Sequence, residues 1–257
     1  MEFNNVSLDI DGAVAVMTLN RPEALNAVDD AMLEGMADVV AEIRSRGTEV
    51  RCFLVTGAGR GFCSGADLVE RAKRSGNRLR DAYHPILLEW RDLPMPIVAA
   101  VNGPAAGIGM SFALMGDIIC ASKNAFFLQA FARVGLVPDG GATFMLPRRI
   151  GWGRAMELSL LAERLTAERA FEWGLVNRLY DDNDALMKGA MEIADKLASG
   201  PKSLGMIRRA YWSTWDSAYE QQLDLEARLQ AAASRTHDAA EGSRAFREKR
   251  DAKFTGT

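Results

Sequence analysis

Cysteine is scarce in this chain, with three thiols (Cys52, Cys63 and Cys120) in 257 residues. An odd set without metal-ligand spacing argues against a disulfide framework and a zinc site. It reads instead as reduced, partly buried thiols in a cytoplasmic protein. Basic residues are not in surplus: 31 Lys and Arg against 34 Asp and Glu leave a net charge of −3. Binding a phosphate backbone draws on a clear basic excess, so no nucleic-acid partner is expected. A long unbroken apolar run is missing too. The nearest approach, Ile97 to Cys120, is interrupted by Asn102-Gly103-Pro104 and carries Asp117 near its far end. That pattern fits two elements joined by a turn, and no membrane attachment is expected. The opening residues, Met1 to Asn5, lack the basic and apolar regions of a secretory signal, which makes a cytoplasmic location the expectation. There is no cluster of metal ligands, and no Gly-rich turn follows a phosphate-loop or dinucleotide pattern, so neither a metal nor a redox cofactor is expected. Internal repeats and low-complexity tracts are absent as well.

What is present is an apolar fraction of 48%, enough over this length to bury a substantial core in one domain with an appendage. Two short runs, Val6 to Ile10 and Ala13 to Leu19, flank Asp11-Gly12, a strong hairpin signal, and Arg21-Pro22 ends the second. Asp29 is placed to cap a helix whose apolar positions Met32, Met36, Val39, Val40 and Ile43 keep helical spacing. Strands over Cys52 to Thr56, Ile97 to Val101 and Asp117 to Ala121 alternate with helices, one ending near Trp90 and one beginning near Met110. Such alternation implies a mainly parallel sheet with crossover helices, an α/β fold. The polar, basic stretch from Val69 to Arg80 reads as a mobile surface segment, and residues 69–91 are expected to supply pocket walls. From about Asp184 onward the pattern is almost wholly helical, with a breakpoint at Gly200-Pro201 and three helices after it. The chain therefore divides into residues 1–199, an α/β core with the site, and residues 200–257, a helical segment. Tyr219, Leu223, Leu225 and Leu229 give one tail helix an apolar face suited to a neighbouring subunit; a tail folded back on its own core satisfies the same pattern.

Two Gly-rich turns carry the chemistry. One is Val101-Asn102-Gly103-Pro104-Ala105-Ala106-Gly107-Ile108-Gly109, which follows a strand and enters an apolar helix. The other, Gly61-Phe62-Cys63-Ser64-Gly65-Ala66-Asp67-Leu68, follows the Cys52 strand. Glycines let backbone come close to a ligand, and a helix N-terminus offers unpaired N–H donors. Two such donors converging on one oxygen make an oxyanion hole from main chain alone. Close packing of helix on strand would call for the same glycines.

These turns resemble the crotonase family, the enoyl-CoA hydratase/isomerase superfamily, and the resemblance spans nearly the whole chain. It also rests on Leu19-Asn20-Arg21-Pro22, Ala24-Leu25-Asn26-Ala27, Gly135-Leu136-Val137-Pro138-Asp139-Gly140-Gly141, Trp173-Gly174-Leu175-Val176 and Phe246-Arg247-Glu248-Lys249-Arg250. It implies a crotonase spiral of ββα units with a C-terminal helical segment, assembled as a homotrimer or a dimer of trimers. It implies acyl-CoA thioester substrates, with CoA as part of the substrate and no separate cofactor. The family's two oxyanion N–H groups fall on Ala66 and Ile108. Removing a proton beside a thioester puts charge on its oxygen, and one fixed donor there is worth about 3 kcal/mol. Because the donor is main chain, Ile108 can stand where glycine is usual, though its bulk narrows the acyl pocket. Ala24, Ala66, Asp67, Leu68, Lys253 and Phe254 are the expected CoA contacts. The basic tail (Arg244, Arg247, Lys249, Arg250, Lys253) would hold adenine and phosphates across a subunit boundary; a solvated helix end paired with Glu248 and Asp251 accounts for it equally.

Side chains around the hole decide the reaction. Family hydratases carry two glutamates, and the matching positions here are Ser111 and Phe131. Adding water needs that water held, deprotonated and its proton delivered, a task paired carboxylates share. What remains is Asp139, the position used alone by PaaG-like enoyl-CoA isomerases and by chlorobenzoyl-CoA dehalogenases. One carboxylate suffices for a 1,3-proton shift, with its pKa raised by the apolar surroundings that Phe131, Val134, Leu136 and Val137 would supply. Read locally, Asp139 also suits the N-cap of a helix through Leu146. A dehalogenase would want a tryptophan at Phe131 and a histidine near His84, and a lone His in Tyr-His-Pro is more often a helix-surface residue. A hydrolase built from Ser111, Asp117 and a histidine is disfavoured. The clp-type serine proteases share the fold, but their nucleophile falls at Gly107. The expectation is an enoyl-CoA double-bond isomerase, with a hydratase using Asp139 and an ordered water, a 4-chlorobenzoyl-CoA dehalogenase-like hydrolase, or an acyl-CoA binder without turnover, as alternatives.

Overall fold

The computed structural model describes residues 1–67 and 77–257. Its strands are β1 (Glu2–Phe3), β2 (Val6–Asp11), β3 (Val14–Leu19), β4 (Cys52–Gly57), β5 (Ile97–Val101), β6 (Pro104–Ala106), β7 (Ile118–Ser122), β8 (Phe126–Leu128), β9 (Leu165–Thr166) and β10 (Arg178–Tyr180). The helices are α1 (Asp30–Ser45), α2 (His84–Arg91), α3 (Ile108–Leu114), α4 (Ala142–Ile150), α5 (Trp152–Leu161), α6 (Ala167–Glu172), α7 (Asn183–Ala198), α8 (Ser203–Ser213), α9 (Tyr219–Ala233) and α10 (His237–Glu248).

Asp11-Gly12 turns the chain as expected, and β2 pairs antiparallel with β3 from Val6↔Leu19 to Asp11↔Val14. From β3 onward the pairing is parallel, giving a seven-stranded sheet in the order β1-β2-β3-β4-β5-β7-β10. Strands β4 and β5 are buried along their whole length, as central parallel strands covered on both faces should be. A three-stranded sheet, β6-β8-β9, stands beside it. Helix α1 starts where the Asp29 carboxylate accepts the Met32 N–H at 2.7 Å, and it buries Met32, Met36, Val39, Val40 and Ile43. Helix α7 packs Leu186, Ala190, Ala194 and Ala198 with Val14, Leu54, Val98 and Cys120 in a second core cluster. In the larger core Trp90 meets Phe53 at 5.3 Å and Phe112 at 5.6 Å between ring centroids. All three thiols are buried and free.

Three differences from the sequence reading bear on the site. Helix α3 begins at Ile108, not near Met110, because Gly107 takes φ +54 and turns the chain into the first helical residue. Asp117 lies just ahead of β7, where its carboxylate accepts the Ile97 N–H at 2.8 Å and the Arg208 Nε–H at 2.7 Å. It is a link between core and tail, not part of a hydrolytic triad. The expected mobile stretch falls largely on residues 68–76, outside the described residues; Leu79–Tyr83 form a π-helical turn that runs directly into α2.

Gly200-Pro201 ends α7, and α8, α9 and α10 follow. Arg208 of α8 donates to Asp117 and to the backbone carbonyls of Leu93 and Arg91. Tyr219 and Leu223 on α9 are 74% and 46% exposed. No helix among the described residues is long and apolar enough to cross a membrane.

Candidate active site

The two Gly-rich turns meet because the strands that feed them are parallel neighbours. β4 pairs with β5 through Phe53↔Ile97, Leu54↔Val98 and Val55↔Ala99, so both loops leave the same end of the sheet, where α/β folds place their ligands. The turns are then tied to each other: the Cys63 N–H donates to the Pro104 carbonyl and the Ala106 N–H to the Cys63 carbonyl, each at 2.9 Å. Asn102 fastens the base, donating to the Gly57 carbonyl at 2.8 Å and accepting the Gly57 N–H at 3.3 Å. A Cβ on Gly109 would stand 2.3 Å from the Cys63 carbonyl oxygen, so this approach requires glycine.

Each turn presents one N–H outward. Val28 donates to the Gly65 carbonyl at 2.8 Å and accepts from the Asp67 N–H at 2.9 Å. That bridge turns the N–H of Ala66, between them, away from Val28. Ile108 is the first residue of α3, where N–H groups lack an intrahelical acceptor. Among the described residues no backbone carbonyl takes either N–H. A Cβ on Gly107 would lie 4.0 Å from the Gly65 Cα, so the residues ahead of the two donors are in contact.

Asp139 reaches the same place by the loop before α4. The cap of that helix is Gly141, with no side-chain cap, which corrects the N-cap reading of Asp139. The Asp139 carbonyl accepts the Ala142 N–H at 3.1 Å and the Ser111 hydroxyl at 2.9 Å. A Cβ on the next residue, Gly140, would fall 2.3 Å from the Ile108 Cδ1 and 2.7 Å from the Ser111 Cβ. Ser111 is therefore an anchor for the Asp139 main chain. Phe131 is buried, and its ring faces Gly107, with Cζ 3.7 Å from a Cβ built there. Val134 and Val137, expected as apolar walls, point outward at 55% and 77% exposure, leaving Phe131 and half-buried Leu136 on that side.

The expected CoA contacts separate into two groups. Ala24 lies against the first turn, its carbonyl accepting the Ser64 hydroxyl at 3.1 Å. Asp67 pairs with Arg21 at 3.2 Å. Leu68 falls outside the described residues. Lys253 and Phe254 are elsewhere: the Lys253 N–H donates to Glu241 at 3.0 Å, and the Phe254 carbonyl accepts from Arg51 at 3.3 Å. Arg51 precedes β4, whereas the Gly-rich turn follows it, so one chain does not bring Lys253 and Phe254 to Ala66. In the basic tail Arg250 is already paired with Glu241 and Glu248, each at 2.6 Å.

His84 is exposed in the first turn of α2 and lines a cavity of about 940 Å³ with Leu87, Phe144, Met206 and Trp212. The cavity reaches Gly140 and Gly141 but neither Ala66 nor Ile108. The preceding residue, Tyr83, was not singled out from the sequence. It is buried, and burial pushes its phenol up to about 12, with Arg78 opposing and Cys63 and Asp139 adding to the rise. Among the described residues no group of three His, Cys, Asp or Glu could hold a metal ion.

The arrangement therefore offers two main-chain donors on adjoining turns, with a carboxylate-bearing loop packed against one of them. That combination can hold a developing oxyanion and exchange a proton beside it. A model of the family described as enoyl-CoA hydratase/isomerase matches residues 9–257. A 1,2-epoxyphenylacetyl-CoA isomerase of Escherichia coli (strain K12) is 42% identical, covering 100% of this chain and 99% of that protein. A probable enoyl-CoA hydratase of Rhodobacter capsulatus is 40% identical with 100% of both covered. The crystal structure of an enoyl-CoA hydratase from Bacillus anthracis superposes with a TM-score of 0.92 at 32% identity, covering 98% of this chain and 100% of that one.

Proposed function

The chain belongs to the enoyl-CoA hydratase/isomerase, or crotonase, family, which acts on CoA thioesters, and within it we propose that this protein is an enoyl-CoA double-bond isomerase. From a 3-enoyl thioester, Asp139 takes a proton from C2 and the electron pair moves onto the thioester oxygen, held by the Ala66 and Ile108 N–H groups. The conjugated enolate then takes the proton back at C4, leaving the 2-enoyl thioester and a regenerated carboxylate. Each donor contributes about 3 kcal/mol to holding the enolate.

The observation that carries this reading is the pair Ser111 and Phe131. At the positions where family hydratases place glutamates, one side chain anchors the Asp139 carbonyl and the other packs on Gly107. Neither can activate a water. The name of the Escherichia coli relative supports an isomerase. A second reading, a hydratase that orders its water on Asp139, is favoured by relatives named as hydratases, including a short-chain-enoyl-CoA hydratase of Clostridium acetobutylicum, 35% identical. The proposed assembly is a homotrimer or dimer of trimers, in which Lys253 and Phe254 serve the CoA of a neighbouring subunit. Their position at the far end of β4 and the exposed apolar residues of α9 support it.

Trans-2-enoyl-CoA and 3-enoyl-CoA, incubated separately in heavy water with wild type and Asp139→Asn, test the reading by mass spectrometry. Interconversion with deuterium uptake, lost in the variant, is expected. A product heavier by one water would replace this reading with the hydratase one.

A further inference from the structure

The two proposed donors are held in different ways. Ile108 is fixed by the helix it opens, whereas Ala66 lies outside the helices and named strands and meets Val28 in an isolated parallel bridge. The aim of the Ala66 N–H therefore depends on the loop that carries Val28, between β3 and α1. That loop is strained: Leu25 and Asn26 take φ +51 and +55, in the left-handed region. Such backbone persists only where its surroundings over-determine it, and it gathers at functional sites. The Asn26 amide supplies part of that support, donating to the Gly61 carbonyl at 2.8 Å and the Ala58 carbonyl at 3.0 Å. Arg21 supplies more. Its backbone N–H donates to the Asn26 side-chain oxygen at 2.8 Å. Its Nη1 donates to the Ala27 carbonyl at 2.8 Å and stands 3.1 Å from the Asp29 carboxylate and 3.2 Å from that of Asp67. The guanidinium thus ties the residues on both sides of Val28 to the residue that follows Ala66. The side chains of Arg21, Asp29 and Asp67 are 19%, 13% and 17% exposed, so this is not a solvent-screened surface pair. Without the cation, two carboxylates would repel across the seam between loop and turn.

We propose that Arg21 is a positioning residue of the oxyanion hole. It sets the direction of the Ala66 N–H by clamping the Val28–Ala66 bridge from both sides. A main-chain donor stabilises charge only when it points at the place the oxygen will occupy, and removing one such donor costs about a hundredfold or more in rate. The Ile108 donor, set by α3, does not depend on this clamp. Loss of Arg21 therefore weakens one donor of the two and leaves the other in place. The inference rests on the oxyanion-hole reading of the two turns and needs no choice between isomerase and hydratase.

Infrared difference spectroscopy of bound butanoyl-CoA, labelled with carbon-13 at the thioester carbonyl, tests it. Each hydrogen bond to that carbonyl lowers its stretching frequency, and this saturated ligand has no double bond to move. With the protein saturated, the lowering does not depend on affinity, so any effect on the neighbouring CoA contacts stays out of the reading. Wild type is expected to lower the stretch, and Arg21→Met to lose about half of that lowering, one donor of two. Arg21→Lys keeps a cation between the carboxylates and stands in if the methionine variant does not fold; without the planar fork it should lose a smaller but measurable part. Val39→Ala, a core truncation in the body of α1, controls for general loosening and should keep the whole lowering while its Tm falls. Full lowering in Arg21→Met, or in Arg21→Lys where that variant stands in, would overturn the proposal. So would an equal loss in Val39→Ala. No lowering by wild type would instead sink the oxyanion-hole reading, and this inference with it.

Discussion

Replacing Ser111 by alanine tests how the loop that carries the proposed acid–base group is held. The serine is 1% exposed, and its hydroxyl donates to the Asp139 carbonyl at 2.9 Å. That carbonyl also accepts the Ala142 N–H at 3.1 Å, so truncation does not orphan it. The stability cost is then one net hydrogen bond, about 1 kcal/mol, not the full desolvation penalty. In a chain of this size that lowers Tm by about 2–4 °C. The kinetic cost is larger in proportion. The Ser111 Oγ stands 2.9 Å from where a Cβ on Gly140 would be, so its loss leaves room for the Asp139-Gly140 turn to shift. A misplacement of about 1 Å costs about 100-fold in rate, and a shift of a few tenths of that corresponds to a loss of roughly fivefold to twentyfold in kcat. KM should hold, because the expected CoA contacts lie on other loops. Steady-state kinetics of enoyl-CoA interconversion with a thermal melt measure both quantities. A kcat loss as complete as that of Asp139→Asn would refute the reasoning, since Ser111 would then be moving protons itself. An unchanged kcat with a lowered Tm would reduce the anchor to packing.

Other consequences follow from particular contacts. Gly109→Ala places a Cβ 2.3 Å from the Cys63 carbonyl, backbone against backbone; we expect about 1–3 kcal/mol of destabilisation by thermal melt and a kcat loss, as the two turns are pushed apart. Hydrogen bonding from Arg250, foremost, holds the Glu241 carboxyl down to about 2 from its ordinary 4.5. A lowered folded pKa means that this stabilisation is present above the ordinary value and fades as pH falls from there toward the folded one. Hydrogen exchange in residues 237–257 should accelerate across that window, Glu241→Gln should flatten the change, and a profile equally steep in both proteins would contradict it. Burial pushes the Cys63 thiol up to about 12 and the Cys120 thiol up to about 11. A thiol reagent at neutral pH should therefore leave the native chain unlabelled and modify three cysteines once it is unfolded; rapid native labelling would show that the core opens.

What could be read along the chain is what near neighbours decide. Asp11-Gly12, the Asp29 cap and the Gly200-Pro201 break act within a few residues, and each stands where the pattern put it. The two Gly-rich turns were legible too, because close backbone approach leaves glycines behind as its mark; Ala66 and Ile108 within them were picked out by the family resemblance. The rest depends on contacts that no local pattern encodes. Ser111 and Asp139 meet across 28 residues through a hydroxyl and a carbonyl that belong to no motif. Val134 and Val137 look like walls in one dimension, yet the short turn Ala130–Val134 and the left-handed Gly135 aim them outward. Tyr83 escaped attention because a π-helical turn breaks the 3.6-residue periodicity by which inward faces are recognised; it turns Tyr83 in and leaves His84 exposed.

This division has a chemical cause. A hole made from main-chain N–H groups asks little of side chains, so its motif survives substitution, and Ile108 can stand where glycine is usual without removing the donor. Acid–base chemistry asks for a carboxylate at one point in space, which different loops around the same hole can supply. A fold shared at a TM-score of 0.92 with a protein described as an enoyl-CoA hydratase is compatible with the proposed hole and says little about which proton moves. That question turns on the loop positions around the hole. Here Ser111 holds the Asp139 main chain and Phe131 covers Gly107, which leaves the proposed proton transfer to Asp139.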